Sequence, residues 1–144
     1  MTLKIRNFKG AVDLKHYRSW FTAHGWASYP VDELLSDTGL MVVDECGTRI
    51  AACFVYYTNS KIVLMEWLAT NPDQPSRVRV KAIDMIVDYL KALIHSKKGI
   101  RFLLGATDHE GLRRHYLRKH KAISDQKAFV VMWDAERGRY NNGT

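Results

Sequence analysis

Glu66 stands inside Ile62-Val63-Leu64-Met65-Glu66-Trp67-Leu68-Ala69-Thr70, a run that otherwise reads as an apolar β-strand. Burying a carboxylate there without a partner is costly, so the position calls for a reason. Two fit: a base that accepts a substrate proton through water, or one end of a salt bridge on a sheet face. Strand alternation puts Glu66 and Thr70 on the same face. The histidines offer another chemistry. His109, His115 and His120 are spaced by six and five residues, which does not gather them on one helical face, and His-Glu-x-x-His is absent. No metal site is expected. His109 reads instead as a cap or cleft residue near a helix start. Cys46 and Cys53 fall on adjacent predicted strands and suggest reduced thiols in a cytosolic protein.

A basic band follows His109: Arg113, Arg114, Arg118, Lys119 and Lys121. Such a run is most often a solvated face. The formal charge of +7 suits a polyanionic partner such as coenzyme A, a nucleic acid or an acidic protein. No aromatic-interleaved stacking surface and no nucleic-acid motif accompanies the charge, so nucleic acid is not the expected partner. The 47% apolar content is enough for one globular core over 144 residues. No apolar run approaches the roughly 20 residues of a membrane span. Met1-Thr2-Leu3-Lys4 lacks a following apolar stretch. Neither membrane attachment nor a secretory signal is expected, and the expected location is cytoplasmic.

The elements that position these residues follow from periodicity. Leu3, Ile5 and the Phe8 region read as an alternating strand. Asp13 is placed to cap a helix whose face carries Leu14, Tyr17, Trp20 and Phe21, and Gly25 ends it. Residues 24–30 form an aromatic-rich connection, and 31–35 a short second helix. Strands over 40–43, 50–57 and 62–70, with turns at Cys46-Gly47 and Asn59-Ser60, make an antiparallel meander. Asn71-Pro72-Asp73-Gln74-Pro75 stops it. The clearest helix then carries Ala82, Ile83, Ile86, Tyr89, Leu90, Leu93 and Ile94 on one face and halts at Lys97-Lys98-Gly99. A buried-type strand over 100–104, a helix capped by Asp108 and running to about Lys119, and a last strand over 128–133 complete an α/β domain spanning 1–134. Residues 135–144 are a polar tail.

This order resembles the GNAT superfamily of N-acetyltransferases over nearly the whole chain. Two segments carry the resemblance. Trp67-Leu68-Ala69-Thr70-Asn71-Pro72-Asp73, leading into the helix with Ala82-Ile83, looks like the family's fourth strand and cofactor helix. His109-Glu110-Gly111-Leu112-Arg113-Arg114-His115-Tyr116 looks like its late helix, in which an Asn precedes a Tyr by seven residues; here His109 stands for the Asn. The Asn-Pro-x-x-Pro loop resembles GNAT-like proteins of tailed phages.

The resemblance implies a mixed, mostly antiparallel sheet of six or seven strands and acetyl-CoA as co-substrate. The pantetheine arm would pair near Leu68, Ala69 and Thr70. The diphosphate would sit on Ser76, Arg77, Val78, Arg79 and Val80, with His109 also at the cofactor. Tyr116 would be the acid and Glu66 the water-mediated base, and Trp26 and Tyr29 would wall an acceptor pocket or else close the core edge. The family's phosphate loop carries glycines where this chain has Val78 and Val80, so weak acetyl-CoA binding is expected. The leading function is N-acyl transfer to a small-molecule or protein amine. The alternative is a non-catalytic GNAT-fold protein with a binding or virion role, with virion or homo-oligomer contacts.

Overall fold

A computed structural model describes residues 2–26 and 29–124. The chain divides into two compact units, 1–110 and 111–144. In the first, β1 (Leu3–Asn7) leads to α1 (Gly10–Ala23), a 3-10 turn (Asp32–Leu34), β2 (Gly39–Asp44), β3 (Arg49–Tyr57), β4 (Ile62–Thr70), α2 (Ser76–Ser96) and β5 (Phe102–Gly105). The late helix α3 (Glu110–Lys119) lies, but for its first residue, in the second. The described sheet has the order β1-β2-β3-β4-β5. Its first three pairings are antiparallel and β4–β5 is parallel. That is the expected mixed, mostly antiparallel sheet with five described strands; the strand expected over 128–133 lies outside the described residues, as does the tail.

All six residues of β2 are buried, because both faces of the sheet are covered. On one face Tyr17, Trp20 and Phe21 of α1 pack on Met41, Val43, Ala52, Phe54 and Ala69. The alternate residues Val42, Ala51, Cys53, Val55 and Val63 are buried on the other face, where α2 sets Val78, Ala82, Ile83, Ile86, Val87 and Leu90. The apolar stripe of α2 is centred between Ile86 and Leu90. Tyr89, expected on it, therefore sits at its rim and is exposed, while Val87 on the opposite rim is buried. β5 was expected to be a buried strand. Phe102 and Leu104 are instead 50% and 55% exposed, since β5 is the outermost strand of the described sheet.

The expected second helix shrinks to the single 3-10 turn. At Gly39 the backbone passes so close to two phenylalanine side chains that an added Cβ would meet Phe8 Cβ at 2.7 Å and Phe54 Cε1 at 2.9 Å. Burial pushes the Cys53 thiol up to about 12, so it stays protonated in the core; Cys46 is exposed.

Asp13 is not the cap of α1. The helix begins three residues earlier, at Gly10, and Asp13 lies in its first turn, 1% exposed. Its carboxylate accepts two hydrogen bonds from Arg6 (2.7 and 2.9 Å), one from Arg49 Nε (2.6 Å) and one from the Lys9 amide (2.9 Å). One buried anion thus ties β1, α1 and β3 together. Burial alone would raise its pKa. The bonds from Arg6, Lys9 and Arg49 outweigh burial and hold it well below the usual carboxylate range.

A depressed folded pKa contributes stability above the unfolded value, and that contribution is lost as pH falls through the folded one. Asp13→Asn should cost about 3 kcal/mol at neutral pH, measured by urea denaturation. The variant should also lack the part of the wild type's acid-induced loss of stability that sets in below about pH 4.

Candidate active site

β4 carries an irregularity that periodicity did not reveal. Between the pairs Phe54↔Glu66 and Ala52↔Ala69, β3 advances two residues and β4 three. The extra residue is a β-bulge, and Trp67 sits in it at φ 59°, a left-handed conformation rare for a bulky side chain. Two contacts hold it there. Tyr17 donates its phenol to the Trp67 carbonyl at 2.7 Å, and the ring packs against the α1-side core.

One added residue inverts the alternation. Glu66 and Thr70 therefore lie on opposite faces of the sheet, not on one: Glu66 follows Phe54 toward α1, and Thr70 follows Ala51 toward α2. Glycine, the usual marker of such a bulge, is absent from β4, so the sequence held no signal for it.

Glu66 is half-buried, and that burial raises its carboxyl above the ordinary carboxylate value. Tyr56, which sequence reasoning did not single out, belongs to the same surroundings. Its phenol donates to the Leu34 carbonyl at 2.6 Å. Burial raises its pKa, the Ser36 backbone and Trp67 indole hydrogen bonds oppose that, and the charge of Glu66 adds to the rise. Being on β3 rather than on a strand with a family motif, it offered only an aromatic in a strand pattern.

The β4–β5 register runs from Ile62↔Phe102 to Met65↔Gly105, so Glu66 to Thr70 extend past the paired part. Asn71 donates its amide to the Ile50 carbonyl at 2.7 Å. Antiparallel alternation then turns the N–H and C=O of Thr70 away from β3, toward the edge that no strand pairs with among the described residues. Leu68 and Ala69 complete this segment, with Ala69 buried beneath it.

Asn71 then shapes the loop into α2. Its side chain donates to Arg49 O (2.9 Å) and accepts from the Asp73 amide (3.0 Å), and its carbonyl accepts from Gln74 (3.1 Å). Pro75 caps α2 with its carbonyl, which receives the amides of Val78 and Arg79. The amides of Ser76 and Arg77 come before Val78, the first amide that donates to Pro75, as in the opening turn of any helix. Arg79 folds back on the loop, donating Nε to Gln74 O (3.0 Å) and Nη2 to Ser76 Oγ (3.2 Å). Arg77 is exposed. Of the two valines at the family's glycine positions, Val78 turns into the core and Val80 stays at the surface.

Trp26 and Tyr29, the expected acceptor wall, are both half-exposed. Trp26 stacks on His24, with centroids 4.7 Å apart and planes 21° apart, and meets Phe21 edge-on. Tyr29 lies under the Arg18 guanidinium, which also pairs with Asp32.

The second unit holds Tyr116, His115 and His120, with His109 just before α3. The Thr107 hydroxyl accepts the His109 amide at 3.1 Å. Tyr116 is half-buried, and its ring lies 6.4 Å from that of His120. His115 and His120, which helical spacing keeps apart, approach to 5.9 Å between ring centroids. The reason is that α3 ends at Lys119 and Lys121 turns left-handed (φ 58°), folding the chain back on the helix. Arg114, Arg118, Lys119 and Lys121 are exposed, whereas Arg113 bonds to Ser124.

No family model and no curated protein matches the sequence. Solved structures do. The chain is similar to a probable acetyltransferase from methicillin-resistant Staphylococcus aureus (TM-score 0.62, 11% identity, 92% of this chain and 100% of that one). It is also similar to glucosamine-6-phosphate N-acetyltransferase from Arabidopsis thaliana (0.57, 11%, 93% and 100%). A third is an aminoglycoside N-acetyltransferase solved in complex with CoA (0.53, 16%, 93% and 95%). At these identities the likeness defines the fold, and the fold is that of the GNAT N-acetyltransferases.

If Tyr17 holds the bulge, Tyr17→Phe should cost about 1–2 kcal/mol, since the phenol is lost and a carbonyl is left unpaired. Hydrogen exchange should quicken at Trp67 and Leu68 more than elsewhere in β4. Uniform or unchanged exchange would show that packing alone fixes the bulge.

Proposed function

We propose that the chain is an acetyl-CoA-dependent N-acyltransferase acting on an amine. The observation that carries this reading is the bulged half of β4, which leaves its pairing with β5 and runs into the arginine-bearing start of α2. The residues fit the co-substrate. An open strand edge suits the amides of a pantetheine arm, and a helix start with Arg77 and Arg79 suits a diphosphate. When bound, acetyl-CoA supplies an acyl group activated as a thioester.

The chain's own residues would do the rest. Leu68, Ala69 and Thr70 would offer the backbone edge. The amides of Ser76 and Arg77 would receive the phosphates, Arg79 would hold the loop in shape, and Arg77 would add exposed charge. Glu66 would take the proton of the attacking amine through water. Its raised pKa suits the role, because a carboxylate with a higher proton affinity is a stronger base. Trp26 and Tyr29 would border the acceptor. Val80 is the remaining β-branched residue at the mouth of α2, and the expectation of weak binding attaches to it.

Acetyl-CoA should raise the melting temperature, with about 2.7 kcal/mol added at 100 times its dissociation constant. Arg77→Glu should weaken that binding about tenfold or more with little change in the ligand-free melting temperature. Arg79→Glu should lower both, since it also releases Gln74 and Ser76. No thermal shift at millimolar acetyl-CoA would end the cofactor reading.

Acyl transfer should rise with pH through a pKa above the ordinary Glu value of about 4.3, because the base must be ionised to accept a proton. Glu66→Gln should remove that limb and lower turnover while acetyl-CoA affinity holds. An unchanged pH profile would take Glu66 out of the mechanism.

A further inference from the structure

His24 is the C-cap of α1, and it is positioned by a rigid device. The amide of Gly25 bonds to Thr22 O (3.0 Å) and that of Trp26 to Phe21 O (3.1 Å). Together with Gly25 at φ 75° and the edge-on contact of Phe21 with Trp26, this is a Schellman ending. The backbone on both sides of His24 is thereby fixed, and Trp26 stacks flat on its ring. His24 Nε2 lies 2.8 Å from the Thr70 carbonyl. A carbonyl only accepts, so Nε2 carries the proton and donates it. That carbonyl points toward the open edge of β4 rather than toward β3, as the Asn71–Ile50 bond requires.

We infer that His24 is a cofactor-site residue: the protein's own hydrogen-bond partner for the Thr70 carbonyl, in the place where an amide of the cofactor arm would pair. The inference rests on the acyl-CoA reading of this edge. An unpaired edge-strand carbonyl invites a donor, and the α1 cap supplies one. The imidazole occupies an outward approach to the Thr70 carbonyl, so an arm amide that takes that approach displaces it, and binding there is opposed by one resident bond. His24 is thus a positioning residue that sets cofactor affinity. Together with Val80, it accounts for an arm site built to bind weakly.

Calorimetry with CoA on the full chain tests this. His24→Ala removes the resident donor and should tighten CoA binding about three- to tenfold, the weight of one net hydrogen bond. KM for acetyl-CoA should fall while kcat holds. His24→Gln, whose side-chain amide can donate to the same carbonyl, should stay within about twofold of the wild type. A purely structural role would lower the melting temperature of His24→Ala without tightening CoA.

NMR of the wild type gives a second readout that needs no variant. The Nε2–H signal of His24 should be hydrogen-bonded in the free protein and lose that signature when CoA saturates it. If the wild type binds CoA and His24→Ala binds equally or more weakly, or if the His24 signature persists in the complex, the inference is overturned and the cofactor reading stands. If none of the three proteins binds millimolar CoA, the cofactor reading itself falls and takes the inference with it.

Discussion

The residue on which the candidate site depends is Trp67, held with φ at 59° in the middle of a nine-residue strand. A bulky residue in that conformation is strained by roughly 1–3 kcal/mol, so the surroundings must impose it. They do so from α1: Tyr17, fully buried, anchors the Trp67 carbonyl, and the aromatic cluster around it packs the indole. The consequences spread along β4. Glu66 faces α1, Thr70 faces α2, and the outward groups of the strand are reset by one residue. Because Tyr17 belongs to the helix whose far end carries His24, one rigid element both creates the bulge and covers the last carbonyl beyond it.

Most of the fold was legible in the sequence, for a physical reason. β4 was anticipated to the residue because Lys61 and Asn71 bracket a run that is apolar but for Glu66 and the terminal Thr70. The stripe of α2 was legible from Ala82, Ile83, Ile86 and Leu90, since burial on one face enforces the 3.6-residue period. What failed were features decided by tertiary contacts. Asp13 looks like a cap, yet it is a buried anion whose partners Arg6 and Arg49 lie on two strands. Tyr89 and Val87 sit at opposite rims of the α2 stripe, where periodicity does not say which is covered. The bulge was invisible because no glycine marks it and its cause lies fifty residues away, in Tyr17. The candidate site was legible as a list but not as an arrangement. Glu66, Arg77 and Arg79 were singled out, whereas Tyr56 and His24 carry no local motif and acquire meaning only from what they touch.

The positive charge takes on a graded meaning in this frame. Arg6 and Arg49 are committed to Asp13, Arg18 to Asp32 and Tyr29, and Arg79 to the loop before α2. These side chains organise the fold rather than advertise a polyanion surface. On the first turn of α2, Arg77 is exposed beside helix amides that precede the first intrahelical donor, a place where charge and backbone favour the same anion. Along α3 the exposed cations have the spacing of a solvated face.

The central claim is that the bulged half of β4 and the first turn of α2 form one binding edge for coenzyme A. Backbone amide shifts followed during titration with CoA test it most directly, because they report where the ligand sits without depending on turnover. The account predicts saturable shifts concentrated at Leu68, Ala69 and Thr70 and at Ser76, Arg77, Val78, Arg79 and Val80, with β1 and β2 nearly silent. Shifts confined to the basic face of α3, or no saturable shifts at all, would contradict it.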